Sequence, residues 1–149
     1  MQALRSETQE LVIFSIGEIS CAIDIVHIQE INKHLDITTV HGASKTVRGV
    51  LNLRGQIVTV LDLRVKFGLE SACIGDEMRI VIVRAGNENI GLLVDAVDDV
   101  VVASKPDLEP PPSNVGGISG AYFTAIYKTE NGLVALLDIE EILKKEQTS

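Results

Sequence analysis

Residues 47–68 read VRGVLNLRGQIVTVLDLRVKFG, and their pattern is the most informative in the chain. Two apolar runs, VRGVLNL and QIVTVLDL, flank the pair Arg54-Gly55. Runs rich in Val, Ile and Leu on either side of a short glycine-containing turn predict a β-hairpin. Asp62 follows, where its carboxylate can cap the short helical turn LRVKF, and Gly68 can end that turn.

The same organisation recurs along the chain. Further hairpins are predicted over residues 11–25, 79–97 and 121–139, where apolar runs flank short turns. A proline-rich loop, KPDLEPPPSNVGG at 105–117, is unsuited to the interior of a sheet. The sequence therefore predicts an all-β fold with short helical turns. A C-terminal helix is expected at about 138–146, and the ends at 1–9 and 147–149 are expected to be frayed.

The chain also repeats itself. GQIVTVLDL aligns with NGLVALLDI, so that Asp62 falls on Asp138. VIFSIGEISCAIDIVHIQEI lies over VIVRAGNENIGLLVDAVDDV, so that Gly17 falls on Gly86. Each half reads as hairpin, connector, hairpin and capped turn, which suits two small closed barrels with few unpaired edges. Chance similarity among strands rich in Val, Ile and Leu is the alternative.

Composition narrows the class of protein. Hydrophobic residues make up 46% of the 149 residues, enough for a substantial core, and the formal net charge is −8. Nucleic acid and anionic membrane surfaces attract clustered lysine and arginine, which this sequence lacks, so neither is an expected partner. The polar N-terminus carries no apolar signal core, and no apolar run approaches the roughly 20 residues of a membrane span. We therefore expect a soluble, cytoplasmic protein without membrane insertion.

No pattern typical of catalysis or metal binding emerges. Cys21 and Cys73 are far apart and predict two free thiols in a reducing cytosol. His27, His34 and His41 are evenly spaced along the chain, but not with the ligand spacing of a zinc site. No nucleophile, base and anion hole come together. The sequence thus predicts no enzyme, no catalytic residue, no metal and no cofactor. A small-molecule-binding β-barrel is the alternative from another class, and it predicts a deep, polar-lined pocket.

Arg54 raises a question of its own, because two-residue hairpin turns usually carry Asn-Gly or Asp-Gly. The guanidinium suits forked hydrogen bonding across a protein–protein interface. It can equally solubilise an apolar hairpin tip, with Gly55 supplying the backbone freedom of the turn. Residue chemistry alone leaves both interpretations open.

The stretch at 47–68 closely resembles the signature of the CheW-type chemotaxis coupling proteins. Other pieces that resemble this family follow in the family's order: LVIFSIG, CAIDIVHIQEI, IVIVRAGNENIGLLVDAVDDVV, the PPP loop and GLVALLDIEEIL. The resemblance covers about residues 10–143, and NLRG is its most specific part.

The resemblance implies a fold of two five-stranded, SH3-like β-barrels packed side by side and intertwined through the first strand. For this chain it implies one CheW-like domain at 10–143. Its first subdomain is expected at about 15–76, and its second is expected to combine about 10–14 with 77–139.

The resemblance also implies a function, since members of this family are non-enzymatic adaptors. They link the cytoplasmic tips of transmembrane chemoreceptors to the regulatory domain of the histidine kinase CheA. We accordingly expect these two partners, a location at the inner face of the membrane through receptor arrays, and a monomer in isolation. A coupler of the same fold in another chemosensory-like pathway is the nearest alternative.

Two sets of contact residues follow from the resemblance by position. The receptor-facing set is Glu30, Gly49, Asn52 and Arg54. The kinase-facing set is an apolar patch of Val12, Ile25 and Ile28. For the two isoleucines the alternative is that they plug the gap between the barrels.

Overall fold

The computed structural model describes residues 7–33 and 36–144. These residues form short strands and two one-turn helices, so the prediction of an all-β fold is confirmed. The strands are β1 Thr8–Ile16, β2 Ile19–Asp24, β3 Ile28–Asn32, β4 Val47–Leu53, β5 Gln56–Asp62, β6 Arg79–Ala85, β7 Glu88–Val94, β8 Ala96–Ser104, β9 Leu108–Glu109, β10 Asn114–Val115, β11 Ile118–Ser119, β12 Phe123–Thr129 and β13 Gly132–Leu137. The helices are α1 Leu63–Lys66 and α2 Ile139–Leu143.

The two ends of the chain differ in part from the expectation. Thr8 and Gln9, expected to be frayed, belong to β1 because they pair with Ser104 and Ala103 of β8. Residues 1–6 and 145–149 lie outside the described residues, and with them the last part of the predicted C-terminal helix. No helix in the described part of the chain is long and apolar enough to cross a membrane.

The strands form two main sheets. One has six strands in the order β8-β1-β2-β13-β12-β9, and the other has five strands in the order β3-β6-β7-β5-β4. A small ribbon of β10 and β11 lies between β9 and β12 in the sequence. The two sheets correspond to the two predicted β units.

The halves of the repeat exchange their hairpins. The β1–β2 hairpin of the first half pairs with β8 and β13 of the second half. The β6–β7 hairpin of the second half pairs with β3 and β5 of the first half. The intertwining therefore involves two complete hairpins and extends beyond the first strand.

The subdomain boundaries expected at 15–76 and at 10–14 plus 77–139 stay predictions. The five-stranded sheet is built from strands between residues 28 and 94, and the six-stranded sheet is built from strands on both sides of that segment. The strands of a hairpin pair locally, so each hairpin enters its sheet as a whole.

Hydrogen bonds at matching positions support the internal repeat. The Asp62 amide donates to the Thr46 carbonyl at 2.7 Å, and the Asp138 amide donates to the Tyr122 carbonyl at 2.8 Å. The alignment that places Asp62 on Asp138 also places Thr46 on Tyr122. Asp62 and Asp138 also cap α1 and α2 with their carboxylates, as the sequence predicts. The two halves are therefore structurally equivalent at the end of each second hairpin.

The core lies inside each sheet and also between the two sheets. The position of β6 explains why the middle of its sequence, RIVIVRA, is continuously apolar. Ile80 and Ile82 pack within the five-stranded sheet, whereas Val81 and Val83 join a cluster that includes Phe14 of the other sheet. A strand with both faces buried loses the alternation of apolar and polar residues. The contact between the sheets is thus a true hydrophobic core.

Candidate functional site

The turn between β4 and β5 displays Arg54 at the surface. Arg54 has a φ of 50° and Gly55 a φ of 86°, so both central residues of the turn adopt positive φ. Asn52 supports the turn, because its Oδ1 accepts a hydrogen bond from the Gly55 amide at 2.9 Å. Arg54 is the only non-glycine residue with positive φ in the described part of the chain. A left-handed backbone is unfavourable for a residue with a Cβ, so the turn retains an arginine at an energetic disadvantage.

Arg54 binds Glu30 through a forked ion pair. Its Nη2 lies 2.5 Å from Oε2 of Glu30, and its Nη1 lies 3.4 Å from Oε1. The Arg54 side chain is 72% exposed and that of Glu30 is 31% exposed. The hydrogen bond from Arg54 lowers the pKa of Glu30 below its usual value, and the same bond raises the pKa of Arg54. The pair therefore presents a fixed, accessible guanidinium beside a carboxylate.

The position of this pair shows that the five-stranded sheet curls round on itself. Glu30 lies on β3 and Arg54 follows β4, and these are the two outer strands of the sheet. Thr38, which follows β3 in the chain, also pairs with the outer strand β4: its amide and carbonyl exchange hydrogen bonds of 2.8 Å with Val50. The ion pair thus joins opposite edges of the sheet.

Gly49 is needed for this closure. It is buried in β4 with a φ of 154°, and a Cβ built on it would collide with the Thr38 carbonyl oxygen. Gly49 therefore allows the segment at Thr38 to pair closely with β4. Of the four residues expected to face a receptor, Glu30, Asn52 and Arg54 meet at one exposed turn. Gly49 lies beneath the surface.

The apolar patch expected to face a kinase is only partly exposed. Val12 is 2% exposed, because β1 runs between β2 and β8. Val12 is therefore a core residue in this structure, and its expected contact with a kinase stays a prediction. The 3-10 turn Ile25–His27 is exposed, with Ile25 at 39% and Val26 at 77%, and Ile28 packs partly against the core. Asp24 caps this turn by accepting a hydrogen bond from the Val26 amide at 3.1 Å.

Ile57 and Leu133 are among the exposed apolar residues that the sequence analysis did not single out. Ile57 on β5 is 67% exposed and Leu133 on β13 is 56% exposed. They occupy matching positions of the repeat, just after each hairpin turn. The available signal was strand alternation: Val58 and Val134 face inward, so their apolar predecessors had to face outward.

The buried carboxylate of Asp62 has structural partners. Asp62 is 2% exposed, and its carboxylate accepts hydrogen bonds from Arg48 Nη1 and Ser71 Oγ, both at 3.0 Å, and from the Arg64 amide. Burial raises the pKa of the Cys21 thiol to about 12, which keeps it protonated. Among the described residues no group of three or more His, Cys, Asp and Glu side chains is arranged to hold a metal ion; His34 lies outside them. The features that stand out are exposed contact groups rather than buried reactive ones.

Comparison with known proteins gives a consistent result. The family model of the CheW-like domain matches residues 10–147 of this chain. The chemotaxis protein CheW of Klebsiella aerogenes is 31% identical over 139 residues, which is 93% of this chain and 84% of that protein. The chemotaxis protein CheW of Helicobacter pylori is 32% identical over 140 residues, covering 94% of this chain and 84% of that protein.

A solved structure also matches the fold. The scaffolding protein TtCheW from Thermoanaerobacter tengcongensis superposes with a TM-score of 0.85 at 30% sequence identity. The match covers 94% of this chain and 90% of that chain. The similarity in sequence and the similarity in structure therefore extend over nearly the same length.

Proposed function

The chain belongs to the CheW-like domain family of chemotaxis coupling proteins, and we propose that it couples chemoreceptors to the kinase CheA through two separate surfaces. The observation that carries this proposal is the exposed ion pair of Arg54 and Glu30. Both residues belong to the receptor-facing set expected from the sequence, and they meet although 24 positions separate them in the chain.

The proposed receptor-facing surface consists of Glu30, Asn52 and Arg54. The tip of a receptor is a helical hairpin, which offers side-chain carboxylates and amides. Arg54 can donate to such groups from the part of its guanidinium that Glu30 leaves accessible. Asn52 fixes the turn that presents Arg54, and Gly49 keeps β4 close to Thr38, so both act by positioning. This surface uses a pre-formed geometry, which reduces the entropic cost of binding.

The proposed kinase-facing surface is centred on the 3-10 turn with Ile25 and Val26. Ile28 lies between this surface and the core. Val12 is buried on β1 and acts from within the core. Exposed apolar side chains held on a short capped turn are a suitable anchor for an apolar patch on a partner. The second partner is the regulatory domain of CheA, and the chain acts in the cytoplasm, where receptor tips and kinase meet.

We assign no chemical step to the chain. Asp62, the carboxylate most deeply buried among the described residues, is occupied by capping α1 and by binding Arg48 and Ser71. We propose a non-enzymatic adaptor that is monomeric in isolation.

Reconstitution tests this function. Receptor cytoplasmic fragments and CheA are mixed with and without the chain, and the kinase that co-sediments with receptor is measured. We expect the chain to increase co-sedimented CheA. Arg54→Ala should weaken binding to the receptor fragment and leave binding to CheA unchanged. Val26→Asp should weaken binding to CheA and leave binding to the receptor fragment unchanged. If each substitution weakens both contacts equally while the fold is intact, the proposal of two separate surfaces is wrong.

A further inference from the structure

The internal repeat creates two equivalent places between the sheets, one beside α1 and one beside α2. Equivalence is fixed by the matching hydrogen bonds from Asp62 to Thr46 and from Asp138 to Tyr122. The alignment of Asp62 with Asp138 relates the second hairpins and the helices, and the alignment of Gly17 with Gly86 relates the first hairpins. Side chains at the two places can therefore be compared one by one.

Large apolar side chains fill the place beside α1. The Phe67 ring lies 5.4 Å from the Tyr122 ring and 5.6 Å from the Phe123 ring, measured between centroids. Phe67 and Phe123 are 6% and 4% exposed, and Ile16 is fully buried in the same cluster. Ile19 packs against this cluster from the start of β2.

The place beside α2 is open. At the positions occupied by Phe67, Tyr122 and Phe123 beside α1, the place beside α2 has Leu143, Thr46 and Val47, respectively. Ala85 and Glu88 replace Ile16 and Ile19. All five of these residues line a surface cavity of about 580 Å³. Each of these five residues is smaller or more polar than the residue at the equivalent position beside α1.

We propose that this cavity, the α2 groove, is a docking site for an aromatic side chain of a partner protein. The chemistry of the occupant follows from the equivalent place, where this chain's own aromatic rings occupy the corresponding space. Aromatic side chains bring large apolar area at a small conformational cost, which is why they anchor many interfaces. The residues that line the groove include none of those in the surfaces centred on Arg54 and on Val26, so the groove implies a contact beyond those two.

Charged residues at the rim of the groove indicate which kind of partner residue lies next to the aromatic anchor. Lys66 and Lys144 line the groove from its helical side. The Lys66 Nζ donates to the Lys144 carbonyl at 3.4 Å, and the Lys144 Nζ binds Glu141 at 3.0 Å. Two ammonium groups beside one paired carboxylate favour an acidic residue next to the anchor, on the helical side. Glu88, on the β7 side, disfavours one there.

Peptide titration of the full chain tests this proposal. The probe is the capped tetrapeptide Glu-Tyr-Phe-Glu, and its control has alanine in place of both aromatic residues. Amide shifts of the ¹⁵N-labelled chain are followed by NMR. We expect saturable shifts around Ala85 and Leu143 with the aromatic probe only.

Filling the groove provides the matched variants. Leu143→Phe and, independently, Ala85→Ile introduce the residues that the repeat carries at positions 67 and 16. Each should weaken probe binding by about tenfold or more, as loss of a buried anchor site does, while Tm stays equal or rises. Leu133→Phe, at an exposed site outside the groove, is the control and should leave probe binding unchanged.

Four outcomes would overturn the proposal. The first is that the alanine peptide binds as tightly as the aromatic probe, and the second is that neither filling variant weakens binding. The other two concern the identity of the occupant. Free 3-(4-hydroxyphenyl)propionate binds as tightly as the peptide, which would assign the groove to a small molecule. Sedimentation reveals self-association that the filling variants abolish, which would assign it to a second copy of the chain.

Discussion

Arg54 combines an unfavourable backbone conformation with the side chain that we propose to contact the receptor. Its positive φ is a cost that glycine would not incur, and its ion pair with Glu30 is exposed and therefore of small benefit to stability. A residue selected for stability alone at this position would be glycine or asparagine. The arginine is better explained by what its side chain contacts.

The substitution Arg54→Gly separates these effects. Relief of the left-handed backbone offsets the lost ion pair, so we expect Tm to be unchanged or slightly raised. Affinity for the receptor fragment should fall by about tenfold or more, the usual effect of removing a central arginine anchor. Thermal unfolding and a binding titration measure the two quantities. Arg54→Lys, which keeps the charge without the fork, should lie in between; a marked loss of Tm in Arg54→Gly would make Arg54 a structural residue.

The carboxyl group of Glu30 provides a test of the ion pair in solution. Because Arg54 lowers the pKa of Glu30 in the folded state, the pair stabilises the fold above the ordinary glutamate range. This contribution is lost as the pH falls through the lowered pKa of the folded state. A ¹³C titration of the Glu30 carboxyl should give a pKa below the ordinary value of about 4.3. In Arg54→Ala the value should return to the ordinary range; an ordinary value in both proteins would show that the pair does not form.

Among the structural elements, α1 and α2 show how equivalent positions acquire different roles. Both helices are one turn long and both begin after a capping aspartate. Asp62 is buried and also binds Arg48 and Ser71, which ties the segment at 71–72 to the sheet. Asp138 accepts a single capping bond, from the Glu141 amide at 3.2 Å.

Alanine at each aspartate should therefore have unequal effects. Asp138→Ala removes one cap and should lower the free energy of unfolding by about 1 kcal/mol. Asp62→Ala removes a cap and leaves the Arg48 guanidinium without its buried partner, for which a loss of about 3–5 kcal/mol is expected. Urea unfolding of both variants measures the difference. Equal losses would mean that the Arg48 contact contributes nothing to stability.

The sequence predicted these elements well because hairpins and caps are local. Turn glycines, alternating strands and Asp62 and Asp138 all act within a few residues of themselves. The exchange of hairpins was not predictable from the local pattern, since it depends on pairing between strands that are distant in the sequence, such as β2 with β13 and β7 with β5. The burial of Val12 was not predictable for the same reason: it depends on β8, a strand distant in the sequence, through the pairing of Val12 with Val100.

The same division applies to the candidate site. Arg54, Asn52 and Glu30 were identified because their motif resembles a family signature, but their mutual contact depends on closure of the sheet. Ile57 and Leu133 follow an alternation that is visible in the sequence, and they were missed because both look like ordinary strand residues. The α2 groove could not be seen at all, because it results from small side chains that come together from distant strands.

Taken as a whole, the molecule is held together by a core that belongs to neither sheet alone. The largest cluster combines Phe14 and Cys21 of the six-stranded sheet with Val81 and Leu92 of the five-stranded sheet. The chain also crosses between the sheets twice, after β2 and after β7. Arg64 joins the second crossing to α1 through bonds of 2.8 and 2.7 Å to Asp95. Separation of the sheets would expose this core and break these links together.

We therefore expect the two sheets to unfold as one cooperative unit. Calorimetry should give a single transition with equal calorimetric and van't Hoff enthalpies. Phe14→Ala, in the shared core, should lower the free energy of unfolding by about 3–5 kcal/mol, and amides of Ile82 and Ala135 should lose hydrogen-exchange protection together. Val102→Ala, at a 64% exposed position, is the control and should change little. Two resolved transitions, or loss of protection in one sheet only, would mean that each sheet is stable by itself. An adaptor whose sheets unfold together keeps the surfaces at Arg54 and Val26 in a fixed relation, so this measurement also bears on how one bound partner can position the other.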